Sequence, residues 1–157
     1  MNIVTATTVL SAAAIRAFVP RKAGGIINLS SVLALAPEVF DGAYSSTKAF
    51  VLNLSQGMVR EADENGVRIQ VVPPGATRTE IWERSGKDLA KIPADKLMEA
   101  GDLVDAALKG FDRGETVTIP SLRDVKQWES MQHARLAMGP NLSRREVAER
   151  YRNNSHA

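Results

Sequence analysis

Two short apolar runs, IINLSS at residues 26–31 and VRIQVV at residues 67–72, are held apart by a stretch from Ala43 to Asn65 that contains no proline. Within it Phe50, Leu54 and Met58 recur at helical spacing, Val51, Leu52 and Val59 widen the apolar face, and Gly66 suits a C-terminal stop. Strands joined by a crossover helix lie parallel, whereas antiparallel neighbours can be joined by a tight hairpin. The pattern therefore points to an α/β fold.

The rest of the chain repeats the alternation. Ile3 to Val19 is rich in alanine and apolar residues, closes at Pro20, and has Asn2 in place as a helix cap. Val32 to Gly42 reads as a loop broken by Pro37, and Pro73-Pro74-Gly75 cuts off the second strand. Thr79 to Lys91 reads as a short helix or loop, and Pro93 to Lys109 as a helix with Leu97, Leu103, Ala107 and Leu108 inward. TVTIP at 116–120 reads as a third brief strand, and the sequence from Val125 as polar helix broken at Met138 to Asn141. Helix, strand, helix, strand, helix, strand in one domain is the order of a parallel sheet with helical crossovers.

Composition excludes several functions. There is no cysteine, and neither His133 nor His156 stands near an acidic cluster, so no metal is expected. The net charge of +2 is carried by the end of the chain, where seven Lys/Arg face four Asp/Glu from Ser121 onward. Arg144, Arg145, Arg150 and Arg152 alternate with Glu146 and Glu149 and have only Tyr151 for stacking, which reads as a solvated helix face in preference to a nucleic-acid surface. The N-terminal apolar stretch lacks a cationic start, carries Arg16, and reads as too short and too polar to span a membrane, so a cytoplasmic location is expected.

GAYSSTKAF, Gly42 to Phe50, places Tyr44 four residues before Lys48. On a helix these side chains share a face. A nearby ammonium favours the phenolate and makes a tyrosine fit for general acid or base work, although an exposed pair at this spacing can equally be without function. Ser31 precedes Tyr44 by thirteen residues at the carboxyl end of the first strand, where open α/β sheets place ligands. Ser30 competes with it, and the spacing favours Ser31.

NLSSVLALAPEVFDGAYSSTKAF resembles the short-chain dehydrogenase/reductase pattern of a strand-end serine, a loop, and Tyr-x-x-x-Lys at the start of a long helix. VVPPGATRTE supplies that family's next landmark, and AGDLVDAALKGFDRGETVTIPSL resembles the end of its bacterial members. The resemblance implies a doubly wound parallel sheet with long flanking helices and an NAD- or NADP-dependent oxidoreductase acting on a small carbonyl or alcohol. It implies that Tyr44 exchanges a proton with a substrate oxygen, that Ser31 hydrogen-bonds that oxygen, and that Lys48 lowers the tyrosine pKa and holds the nicotinamide ribose. Asn2 matches the asparagine that supports a proton-relay water, Pro74 and Gly75 form the turn beside the cofactor, and Thr77 and Thr79 lie by the carboxamide and phosphates. Trp82, in the family's variable substrate loop, is either a lid contact or an anchor of that loop.

Complete members open with a strand and a Thr-Gly-x-x-x-Gly-x-Gly turn whose amides approach the cofactor pyrophosphate. The sequence holds no such turn; GFDRGET, Gly110 to Thr116, lacks the third glycine and precedes a strand instead of following one. The expectation is a single truncated Rossmann-type domain over residues 1–157, the latter half of the fold, with the edge of the first strand exposed. Two functions follow from it: an oxidoreductase of this type, or an inactive remnant or interaction module that forms a homo-oligomer through its long helices.

Overall fold

Strands Gly24–Leu29 (β1) and Val67–Val72 (β2) run parallel in unbroken register, from Gly24 opposite Val67 to Leu29 opposite Val72, and helix Gly42–Glu64 (α2) carries the chain between them. The computed structural model describes residues 2–39, 41–86 and 88–152. His156 lies outside the described residues. The chain divides into two compact units, Met1–Ser121 and Leu122–Ala157.

In the first unit, helix Ile3–Phe18 (α1) and α2 cover one face of the sheet. Ile26, Val67 and Ile69 meet Ala62 in a buried cluster bordered by Ala14, Ile15, Phe18 and Met58, while Val71 packs with Val51 and Leu52. Asn28, a polar residue in an apolar strand, donates from Nδ2 to Ser11 Oγ (3.3 Å) on α1 and Ser55 Oγ (3.0 Å) on α2. Those bonds fix both helices over β1, and they satisfy an amide whose burial without a partner would be costly.

The opposite face is built around helix Ala100–Asp112 (α4). Gln70, fully buried on β2, donates from Nε2 to the Ala107 carbonyl (2.9 Å) and to Thr118 Oγ1 (2.8 Å). Arg68 donates to the Phe111 carbonyl (3.1 Å) and stacks its guanidinium 4.0 Å over the Phe111 ring.

Three expectations need correcting. TVTIP does not form a strand but a single parallel bridge from Val117 to Val71, with Val71 N–H donating to the Thr116 carbonyl and Thr118 N–H to the Val71 carbonyl. Pro120, with no N–H, cannot extend the ladder. The helix expected over Pro93 to Lys109 starts only at Ala100, because Met98–Glu99 (β4) is drawn into a parallel pair with Thr77–Arg78 (β3), supported by the Arg78–Glu99 ion pair at 2.8 Å. Of its four expected inward residues Ala107 is buried, but Leu108 faces outward at 50% exposure. The third concerns the membrane: Ile3–Arg21, which adds the 3-10 turn Val19–Arg21 to α1, has a mean hydropathy of 1.6 and is long and apolar enough by composition to cross a bilayer. Ser11, 2% exposed and bonded to Asn28, ties this helix to the sheet layer.

Helix Ile81–Arg84 (α3) interrupts the loop between β3 and β4. In the second unit, helix Val125–Ala137 (α5) is capped by Asp124, whose Oδ1 accepts from Lys126 N–H (3.0 Å), and ends before the 3-10 turn Gly139–Asn141. Arg144, Arg145, Arg150 and Arg152 are all exposed.

The passage from α2 into β2 depends on Gly66, which has φ +70 and whose missing Cβ would lie 2.5 Å from the Lys22 carbonyl oxygen. Gly57, on α2, has open space at the same position. Gly66→Ala is expected to destabilise the chain by roughly 1–3 kcal/mol through strain and overpacking, whereas Gly57→Ala gains up to about 1 kcal/mol from helix propensity. Urea unfolding of both variants measures the difference, and equal effects at the two sites would contradict the assignment.

Candidate functional site

The parallel ladder continues past the strand ends. Ser30 N–H donates to the Val72 carbonyl (2.8 Å) and Val32 N–H to the Pro74 carbonyl (3.0 Å), so the residues following β1 are laced to the Pro73-Pro74-Gly75 turn following β2. This edge, at the carboxyl ends of two parallel strands, collects Ser31, Lys48 and the Pro74 turn.

Two serines there have different work. Ser30, 3% exposed, donates its hydroxyl to the Lys48 carbonyl (2.7 Å), pinning the first turns of α2 to the strand end. Ser31 Oγ accepts from Leu33 N–H (3.2 Å) and caps the 3-10 turn Val32–Ala34. Acceptance uses a lone pair and leaves the Ser31 hydroxyl proton to donate elsewhere.

Lys48 reaches back from α2 to donate from Nζ to the Leu29 carbonyl (3.2 Å), and the same nitrogen sits 5.8 Å from the centroid of the Tyr44 ring. Burial pushes the Lys48 ammonium below its ordinary pKa, because the charged form loses water. Tyr44, at 40% exposure, stands in the first turn of α2. Its backbone N–H donates to Asp41 Oδ1 (2.8 Å), the N-cap of the helix. Asp41, three residues before Tyr44, is a cap type visible in the sequence but passed over there.

Pro74 and Gly75 are half-buried in the turn, and Thr77 Oγ1 donates to the Gly75 carbonyl (3.2 Å). Thr79 is exposed beyond β3. Trp82 donates from Nε1 to the Thr77 carbonyl (2.7 Å), so the indole fastens its loop to β3. Asn2 caps α1 through Oδ1, which accepts from Thr5 N–H (2.9 Å). The structure thus brings Ser31, Tyr44, Lys48 and the Pro74 turn to one edge through Ser30 and Leu29; among the described hydrogen bonds none joins Asn2, Thr79 or Trp82 to that group.

Sequence reasoning missed Asn28 and weighed Ser30 only as a competitor of Ser31, not as the residue that holds the Lys48 carbonyl. Hydroxyl and amide groups inside or just past an apolar strand were the available signal, since such groups are retained where they find partners.

The short-chain dehydrogenase family model matches residues 1–90. A short-chain dehydrogenase from Sphingobium yanoikuyae, solved in complex with NADPH, is 46% identical, superposes with a TM-score of 0.89, and is matched over 94% of this chain and 57% of its own. The bulky-bulky ketone specific alcohol dehydrogenase from Comamonas testosteroni is 41% identical with a TM-score of 0.82, matched over 94% of this chain and 55% of its own. A 3-oxoacyl-(acyl-carrier-protein) reductase from Salmonella typhimurium is 29% identical over 115 residues, which are 69% of this chain and 47% of that protein. The chain matches less than half the length of each of these curated relatives, from 47% down to 24%. With more than half of its residues inside the family model, and with its parallel α/β architecture shared by these solved relatives, the chain belongs to the short-chain dehydrogenase family.

Proposed function

We propose that this chain carries the proton-transfer half of an NAD(P)-dependent oxidoreductase that interconverts a small ketone and its alcohol. The observation that carries the reading is the position of Lys48 Nζ, which ties the Leu29 carbonyl at the end of β1 to the Tyr44 ring, one residue removed from the serine pair.

In this reading the Ser31 hydroxyl hydrogen-bonds the substrate oxygen while keeping its proton, and Tyr44 passes a proton to that oxygen, or takes one from it in the reverse direction. Lys48 offsets the charge that grows on the tyrosine oxygen, an electrostatic role strengthened where water is partly excluded. Asn2 supports the relay water; because its Oδ1 already caps α1, that task falls to its amide or backbone. Trp82 borders the substrate side of the site from the loop it anchors.

The donor set suits the nicotinamide-ribose end of a dinucleotide: an ammonium and two hydroxyls at the carboxyl edge of a parallel sheet. Tyr44 and Lys48 would hold the ribose, and Pro74, Gly75, Thr77 and Thr79 would line the carboxamide and phosphates. Once bound, the dinucleotide supplies or accepts the hydride. Among the described residues no glycine-rich strand-to-helix turn fits the pyrophosphate. Support for NADPH comes from the Sphingobium relative's complex, and a ketone substrate is in keeping with the Comamonas relative. Val9 and Leu10, 54% and 64% exposed on α1, give a second copy of the chain an apolar surface to pair with, and a homo-oligomer in the cytoplasm completes the proposal.

The test is an NADPH titration followed by nicotinamide fluorescence, then ketone reduction with the native chain and its variants. Saturable NADPH binding is expected; Tyr44→Phe should lower turnover by about 10²–10⁴-fold, and Lys48→Met should weaken both turnover and NADPH saturation. An absence of saturable binding at millimolar NADPH would show that these residues alone do not make a dehydrogenase, and full activity in Tyr44→Phe would remove the proton-transfer assignment.

Lys48 also gives a stability signature. Its pKa is lowered in the folded chain by burial, while the unfolded side chain keeps its proton to about 10.4. Between the two values the unfolded state binds more protons, so stability rises with pH in that window. The urea midpoint of the native chain, measured relative to Lys48→Met, should climb as pH is raised toward 10; a relative decline would contradict a desolvated ammonium.

A further inference from the structure

Lys48 is held at both ends. Its carbonyl accepts from Ser30 Oγ (2.7 Å) and its Nζ donates to the Leu29 carbonyl (3.2 Å), so two consecutive residues at the end of β1 grip the backbone and the tip of one lysine. Inside an α-helix a carbonyl already accepts from the N–H four residues on, and residue 48 lies well within α2. The Ser30 bond therefore takes the second lone pair of that oxygen. The helix has no need of it for its own hydrogen bonding; what it adds is position.

Hydroxyls on α2 itself are satisfied locally: Thr47 donates to the Ala43 carbonyl (2.9 Å) and Ser55 to the Val51 carbonyl (2.8 Å). Ser30 instead bonds a residue 18 positions further along the chain. It is 3% exposed, and its own N–H donates to the Val72 carbonyl (2.8 Å), just before the Pro73-Pro74-Gly75 turn. The ladder thus fixes the Ser30 backbone, and the hydroxyl passes that fixed position on to α2. A lysine stem is long and rich in rotamers. With the carbonyl and Nζ both anchored, Nζ is kept 5.8 Å from the centroid of the Tyr44 ring.

We propose that Ser30 is a positioning residue of the proton-transfer site: its hydroxyl seats Lys48 on the strand end and, through Lys48, sets the distance from Nζ to Tyr44. Ser30 itself touches neither substrate nor cofactor in this scheme. Adjacent serines then divide the work, Ser31 serving the substrate oxygen and Ser30 the lysine. A serine that is merely buried and satisfied would leave the Lys48 head indifferent to its loss. The catalytic consequence rests on the reading in which Tyr44 exchanges a proton and Lys48 holds the ribose; the hold on Lys48 stands without it.

The test compares three variants of the full, isotopically labelled chain: Ser30→Ala, Ser30→Cys, which keeps the bulk but is a weak donor, and Ser30→Thr, which restores the hydroxyl. Losing the hydroxyl leaves the Ser30 N–H bond to Val72 in place, so the amide signals of residues 24–29 and 67–72 should not move; should Ser30→Ala disturb them, Ser30→Cys decides. In the native and Ser30→Thr chains the two Lys48 Hε protons should resonate apart and show Overhauser contacts to the Tyr44 ring. In Ser30→Ala and Ser30→Cys they should merge, with those contacts weakened about threefold or more. The NADPH concentration at half-saturation should rise about fivefold in these two and less than about twofold in Ser30→Thr, because the ligand must then order a lysine that was ordered beforehand. Lys48 signals unchanged by Ser30→Ala and Ser30→Cys would overturn the proposal, and so would their loss in Ser30→Thr with the amide signals intact. A released Lys48 with unaltered NADPH half-saturation would overturn the catalytic consequence. If the native chain binds no NADPH, it is the ribose reading that fails, and the Lys48 signals alone decide on Ser30.

Discussion

The parallel ladder between β1 and β2 is the constraint on which the rest of the first unit depends. Because a parallel pair demands a crossover, it fixes α2 against the sheet and starts that helix beside the carboxyl ends of the strands. Continuation of the ladder through Ser30 and Val32 then turns a backbone register into a site: one serine hydroxyl is spent on holding Lys48's carbonyl, the next is left with a hydrogen bond to give, and the lysine head returns to the strand it follows. Position along the helix does the remainder, since an Asp41 cap sets where α2 begins and so where Tyr44 stands.

Much of this was legible in the residues. VRIQVV coincides with β2, and the proline-free stretch with α2 to within a residue at each end, because burial on the sheet and strong stop signals left no competing pattern. The third strand was not legible: TVTIP has strand-forming residues but only one of them, Val117, finds a ladder partner before Pro120 ends the run. Nor was the late start of α4, since Met98 and Glu99 pair with residues some twenty positions earlier and no local signal announces that. At the candidate site, spacing singled out Ser31, Tyr44 and Lys48, which lie at one sheet edge; it could not tell that Ser30 would be consumed by a backbone carbonyl, which is a tertiary fact.

Half-buried and buried polar groups connect the layers. Asn28 joins β1 to both helices on one face, and Gln70 joins β2 to α4 and Thr118 on the other. Their partners are specific, so they tie each layer to a single arrangement where apolar contacts alone would tolerate sliding. The same contrast explains β1: one face is knitted to α1 and α2, while Ile27 and Leu29 on the other meet solvent. Among the described residues β2 is bonded along both edges and β1 along one.

The most direct measurement is a nuclear Overhauser map of the isotopically labelled chain in solution. The account predicts inter-strand backbone contacts in the register that sets Ile27 opposite Gln70, together with contacts from the Lys48 side-chain methylenes to Leu29 and to the Tyr44 ring. A shifted register, or a Lys48 side chain that contacts neither, would show that the ladder does not assemble the site.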